Sequence, residues 1–146
     1  MSVNVQIVAD PDDTPSVEKL AEWADCALRM RTGELEMTVR VVGLEEGRRL
    51  NERWRHSSGP TNVLSFPIEG LEAFPSLLGD VVVCAPVANS EARREGKSWH
   101  AHWAHLVIHG TLHLLGHDHL NDADAAIMEE VERTLLRKLG YPDPYL

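Results

Sequence analysis

The sequence HWAHLVIHGTLHLLGHDH spans residues 102–119 and predicts a helix buried inside the protein. Its apolar residues cover most of a helix circumference, which is typical of a helix surrounded by other elements. Ser98 is the expected N-cap and Gly116 the expected stop, so the helix should run over residues 99–115. Seven of the eight histidines of the chain lie between His100 and His119. Composition therefore directs the search for a functional site to this one segment.

A metal site is the main prediction from these histidines. His109 and His113 are four residues apart, which places their Cβ atoms about 5–6 Å from each other on one helix face. A glycine at position 116 can adopt the left-handed conformation that lets the chain double back, so His119 can reach the same ion. Three protein ligands with an open fourth position are the pattern of a catalytic zinc, which activates water or polarises a substrate oxygen. The alternative is that the rings are hydrogen-bonded core residues or a solvated stripe.

The spacing H-x-x-x-H-x-x-G-x-x-H is that of the metzincin proteases, whose second position holds the glutamate that acts as general base. In this chain that position is Gly110. Peptide hydrolysis by that route therefore lacks its proton acceptor, and a metalloprotease becomes a minor hypothesis.

The other polar residues of the segment are less specific. His102 and His105 continue the helical stripe and are expected to be packed or partly exposed, although His105 is able to join a network that orients a ligand. His117 adjoins the turn and is a possible competitor for the metal. Asp118 is either an acceptor for a ligating imidazole or a turn-forming residue.

Working outward, the periodicity alternates between helix and strand and predicts a single mixed α/β domain over residues 1–146. The Thr14-Pro15 pair is expected to open the first helix. The segment at 80–84 is nearly all apolar, which predicts an interior strand. The predicted strands are 3–8, 35–41, 61–66 and 80–84, and the predicted helices are one opened by Thr14-Pro15, then 44–55, 86–96, 99–115 and 122–139.

Composition excludes several classes of protein. The chain has 146 residues, of which 43% are hydrophobic and 25% charged, an ordinary globular balance. It has neither an apolar run near the roughly 18 residues of a membrane span nor a recognisable secretory signal. Cys26 and Cys84 lie far apart in apolar surroundings, which predicts reduced core thiols and a cytoplasmic location. The net charge of -9 means that any polyanion must be held by a local basic patch.

One such patch is expected on the helix over residues 44–55. Arg48 and Arg55 share one helix face, and Arg49 and Arg53 lie on a neighbouring one. A guanidinium group can hold phosphate oxygens bidentately and neutralise charge that develops in a transition state. For Arg48, Arg49 and Arg53, ion pairs with nearby glutamates are the simpler expectation. Arg55 differs because it lies at the helix end, just before a Ser-Ser-Gly-Pro turn.

Taken together, the motifs resemble the YbeY family of bacterial rRNA maturation factors, which are single-domain, metal-dependent endoribonucleases. The motifs that carry the resemblance are LNERWR (50–55), PTNVLSFP (60–67), LLGDVVV (77–83), the histidine segment (102–119) and LGYPDPY (139–145).

The resemblance implies an α+β fold in which helices cover a small mixed sheet, with a zincin-like histidine helix. It implies metal ligation by His109, His113 and His119, and a functionally required Arg55. It also implies a role in 16S rRNA 3′-end maturation and quality control of the small ribosomal subunit, with no membrane or DNA partner. His117 departs from the family pattern, in which an aromatic such as tyrosine is expected.

The predicted reaction is cleavage of single-stranded RNA by one divalent ion, with zinc (Zn²⁺) as the default, while Arg55 stabilises the added negative charge. Either water or the RNA 2′-OH can be the nucleophile, and the sequence does not identify a general base. A ribosome-associated binding protein with a structural or vestigial metal is the main alternative, ahead of the metalloprotease.

Overall fold

The computed structural model describes residues 2–54, 61–68 and 76–146. The elements alternate along the chain much as the periodicity predicts. In chain order they are β1 (Ser2–Ile7), a 3₁₀ turn (Pro11–Asp13), α1 (Val17–Leu28), β2 (Glu36–Val42), α2 (Leu44–Trp54), β3 (Val63–Pro67), β4 (Leu77–Cys84), α3 (Ala85–Arg94), α4 (Trp99–Leu114) and α5 (Asp122–Lys138).

The four strands form one sheet in the order β1-β2-β4-β3. Strands β1, β2 and β4 are parallel, whereas β3 pairs with β4 in the antiparallel direction. The sheet is therefore mixed, and the helices pack on it in an α+β fold, as the resemblance implied. Strand β3 lies at one end of this order and pairs with β4 alone among the described strands.

The main core lies between the sheet and helices α1, α4 and α5. Alternate residues of the inner strands, such as Val39 and Val81, point into it and are fully buried together with Trp23 and Trp103. The opposite side of the sheet carries a smaller apolar cluster, Val42, Leu64, Val82 and Cys84, against which Leu50, Phe66 and Val87 pack. Because β4 contributes to both clusters, it is the interior strand that its apolar sequence predicts.

Helix α4 approaches the sheet closely at Gly110. A Cβ atom at this position would lie 2.7 Å from Cγ1 of Val81 and 3.2 Å from Cγ2 of Val63, so a side chain does not fit without movement of its neighbours. The Ser65 hydroxyl of β3 donates a hydrogen bond of 2.8 Å to the Gly110 carbonyl. These contacts hold the helix against β3 and β4 immediately beside His109.

The start of α1 differs from the prediction that Thr14 and Pro15 open it. Ser16 is the N-cap, and its hydroxyl accepts a hydrogen bond of 3.2 Å from the Lys19 N–H. Thr14 instead closes the preceding 3₁₀ turn, because its N–H and hydroxyl both bond to the Pro11 carbonyl. The Thr14-Pro15 pair therefore lies before the helix, and the predicted start of α1 is wrong.

Two further expectations were that both cysteines are reduced core thiols and that the chain has no membrane-spanning helix. Both cysteines are free thiols; Cys84 is buried, and Cys26 packs at the margin of the main core. None of the helices within the described ranges is long and apolar enough to span a membrane.

Candidate metal centre

Helix α4 and the turn that ends it bring three histidines together. Ser98 caps the start of the helix, and Gly116, with φ of 100°, lies just past its end, both as predicted. The Gly116 N–H bonds to the His113 carbonyl and the His117 N–H to the Leu112 carbonyl, which is the Schellman pattern of helix termination. The chain therefore reverses direction, and the ring of His119 lies against those of His109 and His113.

The geometry of the three rings fits a single ion. One nitrogen of each of His109, His113 and His119 lies within 4.8 Å of the others. The Nε2 atoms of His109 and His113 are 3.1 Å apart. Two imidazole nitrogens bound tetrahedrally to zinc at 2.0–2.1 Å would be about 3.3 Å apart, so this pair needs little movement to share an ion.

The protonation state of His113 leaves a lone pair for that ion. Burial, followed by the neighbouring rings of His109 and His119, lowers the pKa of His113, which keeps its ring neutral near neutral pH. A neutral imidazole carries one nitrogen that donates and one whose lone pair is free to bind a metal. Burial and the neighbouring rings thus favour the form in which His113 acts as a ligand.

Glu132 of α5 is a member of the site that sequence reasoning did not find. Its side chain is fully buried, and Oε2 lies 3.1 Å from Nδ1 of His109 and 2.7 Å from Nε2 of His105. Burial by itself raises the pKa of this carboxyl, but hydrogen bonds from the two imidazoles and from Tyr145 outweigh it and lower the pKa to about 2. An ionised carboxylate only accepts hydrogen bonds, so Nδ1 of His109 carries the proton and Nε2 points its lone pair toward His113.

The C-terminal tail completes this network. The Tyr145 hydroxyl donates a hydrogen bond of 2.6 Å to Oε1 of Glu132. Burial of the hydroxyl and its bond to the carboxylate raise the pKa of Tyr145 well above its usual range, so the group remains a donor. Arg133 anchors the tail through its guanidinium, which bonds to Asp143 at 3.0 Å and lies over the Tyr145 ring. The PDPY motif near the C-terminus therefore supports the histidine cluster.

A signal for Glu132 is present in the sequence. The buried positions of α5 are Met128, Glu132, Leu135 and Leu136, which recur at helical spacing along one face. A lone carboxylate on the apolar face of an amphipathic helix is costly unless it is paired. A buried Glu132 therefore needs cationic or hydrogen-bond-donating partners, and the histidine segment contains several side chains of this kind.

The histidine cluster opens into a groove of about 1070 Å³. Strand β3 contributes the residues 63–67 to its wall, and α2 contributes Leu50 and Trp54. The three histidines, Asn62, Asp118 and Tyr145 also line it. The converging nitrogens thus face a space large enough for part of a polymer rather than a closed cavity.

The remaining predicted residues have varied positions. Arg55 lies outside the described residues, so the role expected for it is untested. Asp118 Oδ1 accepts a hydrogen bond of 2.7 Å from the His119 N–H, which is a contact of a turn-forming residue, and no ring of a described histidine bonds to it. His117 belongs to neither group of converging donor atoms found among the described residues.

The two earlier histidines of the stripe have carboxylate partners. His105 joins the Glu132 network, and His102 is buried with its Nε2 atom 3.0 Å from Oε1 of Glu91.

Of the three arginines expected to pair with glutamates on α2, the expectation is confirmed for Arg48. Arg48 forms ion pairs with Glu45 and Glu52 on the same helix. Arg53 packs its guanidinium over the ring of Trp54 at 5.4 Å.

Comparison with known proteins shows the family to which the chain belongs. The profile of the family described as Endoribonuclease YbeY matches residues 8–140. The chain belongs to the YbeY family. The match covers α1 through α5 and so includes all three clustered histidines and Glu132, and it confirms the family resemblance that the motifs indicated.

Individual YbeY proteins are similar over most of their length. The chain is 54% identical over 133 residues to Endoribonuclease YbeY of Stutzerimonas stutzeri, which covers 90% of this chain and 83% of the relative. It is 51% identical over 140 residues to Endoribonuclease YbeY of Pseudomonas savastanoi, covering 94% and 84%. The solution structure of TM1509 from Thermotoga maritima is similar with a TM-score of 0.68 at 25% identity, covering 94% of this chain and 88% of that one.

Proposed function

We propose that this protein is a metal-dependent endoribonuclease that cleaves single-stranded RNA in the groove beside α4. The observation that carries the proposal is the convergence of the His109 and His113 Nε2 atoms to 3.1 Å, with His119 completing a set of three nitrogens on the wall of that groove. Membership of a family named for endoribonuclease activity supports the same reaction class.

The residues present fit a divalent cation, which His109, His113 and His119 would hold. Three neutral imidazoles suit several first-row metals, and zinc is our assignment because it accepts three histidines and leaves one position open. When bound, such a cation supplies positive charge that polarises a phosphate oxygen and lowers the pKa of water.

Glu132 acts in this proposal by positioning the ligands. It is buried, and its two oxygens already accept hydrogen bonds from His105, His109 and Tyr145, so it does not reach the substrate. Its negative charge stabilises the Nδ1–H tautomer of His109 and raises the basicity of the ring.

Arg55 is assigned the role of stabilising charge on the phosphate. The residue follows directly on Trp54, which ends α2 and lines the groove. A guanidinium donates several hydrogen bonds in one plane, which suits the oxygens of a phosphodiester whose negative charge grows during cleavage. The Arg55→Lys variant keeps the charge but loses the planar fork, so it should retain only part of the activity.

The close packing at Gly110 argues against peptide hydrolysis. A Cβ at this position would lie 2.7 Å from Val81 and 3.2 Å from Val63, so a side chain here would press against the sheet. The position that holds the general base in metzincins thus has neither a carboxylate nor room for one here. This supports RNA over a peptide as the substrate.

The biological substrate proposed is the precursor of 16S rRNA at its 3′ end, with the small ribosomal subunit as partner and the cytoplasm as location. Neither a membrane nor DNA is expected as a partner. The acidic net charge of -9 is consistent with binding that depends on a local site rather than on overall attraction to nucleic acid.

The test uses metal-loaded wild type, His113→Ala and Arg55→Ala, each incubated in parallel with single-stranded RNA and an unstructured peptide. The proposal expects RNA cleavage by the wild type only, with His113→Ala also losing bound metal and Arg55→Ala retaining it. RNA binding without cleavage by the wild type would favour a ribosome-associated binding protein instead. Peptide cleavage without RNA cleavage would favour the protease.

A 2′-deoxy substitution at the cleaved nucleotide then distinguishes the two nucleophiles. If the 2′-OH attacks the phosphate, the substituted RNA resists cleavage and the unsubstituted product carries a cyclic phosphate. If water attacks, the substituted RNA is cut at a similar rate.

A further inference from the structure

Trp54 differs from the other tryptophans of the chain in its exposure and its position. Its side chain is 58% exposed at the end of α2, whereas Trp23 and Trp103 are fully buried. Trp99 is less exposed, and its indole N–H donates to Asn89. Among these four residues, only Trp54 lines the groove that contains the histidine cluster.

The exposed ring is held in place from the protein side. Phe66 of β3 contacts it edge to face, with ring centroids 6.2 Å apart and the planes at 74°. Phe66 itself packs against the small apolar cluster around Leu64 and Val82. A large aromatic surface that is fixed by its neighbours and still open to solvent loses little conformational entropy when a flat ligand stacks on it.

The groove joins this ring to the histidine cluster across β3. Val63 of this strand packs into the core beside α4, and Ser65 bonds to Gly110 of that helix. Leu64 and Phe66 point to the other side, toward α2. A chain that follows the groove from His109 and His113 therefore passes the edge of β3 and reaches Trp54.

The chemistry at the Trp54 end favours stacking over charge attraction. Arg40 lines the same part of the groove, but its guanidinium is paired with Glu46 at 2.9 Å and also bonds to Gln6. Asp80 adds an exposed carboxylate nearby. Among the described residues, Arg53 is a cation beside this ring, and its guanidinium lies over the Trp54 ring at 5.4 Å, next to any phosphate of a nucleotide stacked there.

We infer that Trp54 is a stacking platform for one nucleobase of the single-stranded RNA, at a subsite separated from the histidine cluster by β3, with Arg53 beside the adjoining phosphate. This inference rests on the proposed function because it takes RNA as the ligand. Aromatic side chains stack on bases of any identity, so the subsite contributes affinity and register without sequence specificity.

The experiment measures binding and cleavage of labelled single-stranded RNA of roughly 12 nucleotides by metal-loaded protein. Trp54→Ala is compared with Trp54→Phe, which keeps an aromatic ring, and with Ile127→Ala. Ile127 is a matched control because it is also 58% exposed and does not line the groove. Metal content and thermal unfolding are measured for every variant.

Trp54→Ala should raise Kd and KM by roughly 5- to 150-fold, since stacking contributes about 1–3 kcal/mol for each base, while kcat stays within about twofold. Trp54→Phe should recover most of the affinity, and Ile127→Ala should match the wild type. RNAs with one abasic nucleotide at successive positions then locate the subsite. At one position, the abasic nucleotide should weaken binding to the wild type. The same abasic RNA should bind Trp54→Ala as tightly as the intact RNA does.

Equal Kd and KM for Trp54→Ala and the wild type would overturn the inference and point to a protein partner as the occupant of this surface. An abasic series that is the same for both proteins would also overturn it. If the wild type binds RNA but does not cut it, the proposed function fails while the Kd comparison still tests the stacking subsite. If the wild type binds no RNA, both proposals fail.

Discussion

Two of the histidine–carboxylate contacts of helix α4, those of His102 and His109, differ in what surrounds them. His102, in its first half, lies 3.0 Å from Glu91 of α3 and is buried, and its Nδ1 has no hydrogen-bond partner among the described residues. His109, in its second half, lies 3.1 Å from Glu132 of α5, and its other nitrogen faces His113 at 3.1 Å.

The difference shows that a histidine paired with a carboxylate is not by itself a metal site. Glu91 also accepts a hydrogen bond from Asn62 at 3.1 Å, so it joins α3, α4 and the residue that precedes β3 in a structural network. Glu132 instead fixes a ring whose free nitrogen meets two further imidazoles at the groove. We attribute function to the convergence of donor atoms rather than to the abundance of histidine.

The largest expected effect compares the two halves of the helix directly. His113→Ala should reduce RNA cleavage by more than about 100-fold, because loss of a ligand should exceed the 10–100-fold cost of losing a group that only orients one. His102→Ala should keep cleavage per folded molecule and instead lower the free energy of unfolding by about 1–3 kcal/mol. Initial rates and urea unfolding measure the two quantities, and loss of cleavage in both variants would remove the distinction.

The second prediction concerns the two carboxylates. Glu132→Gln should weaken metal affinity by about 10–100-fold, because an amide no longer provides the charge that fixes the His109 tautomer. Glu91→Gln is the matched control and should leave metal affinity unchanged. Competition with a chromophoric chelator measures both, and equal affinities for the two variants would contradict the role assigned to Glu132.

The third prediction concerns the close approach of the second half of α4 to the sheet. Gly110→Ala should lower the free energy of unfolding by about 1–3 kcal/mol, because the added methyl overlaps Val81 and Val63. Gly43→Ala introduces the same methyl where nothing lies within 4 Å and should change stability little. Urea unfolding measures both, and a stabilised Gly110→Ala protein would show that helix propensity outweighs the contact.

The smallest expected effect concerns the tail. Tyr145→Phe removes one of the hydrogen bonds to Glu132 and should cost about 1 kcal/mol of stability, since water can replace a partly exposed hydroxyl. Tyr141→Phe is the control, because the Tyr141 ring packs edge-on against Trp23 and keeps that contact as phenylalanine. Thermal unfolding compares the variants, and an equal change in both would separate Tyr145 from the Glu132 network.

Local sequence signals predicted much of the fold. The Ser98 cap, the apolar pattern and Gly116 located α4 to within one residue of its observed end, because caps and glycine stops act over a few residues. The alternation of apolar and polar residues located β2, and the apolar run at residues 80–84 located β4. The predicted start of α1 was wrong because Thr14 bonds back to Pro11 in the preceding 3₁₀ turn, and Ser16 caps the helix instead.

The candidate site was only partly predictable. The four-residue spacing of His109 and His113 and the turn at Gly116 indicated the histidine cluster, since these contacts are local. The pairing of His109 with Glu132 depends on how α5 packs on α4, 23 residues further along the chain. Exposure of Trp54 in the groove is likewise a property of tertiary packing that periodicity does not encode.

The most direct test of the metal centre is the metal content of purified protein, measured by elemental analysis for the wild type, His109→Ala, His113→Ala, His119→Ala and the control His102→Ala. A metal centre at these three histidines should give about one divalent ion per chain in the wild type and in His102→Ala, and a large loss in the other three variants. Equal metal content in all five proteins would contradict it.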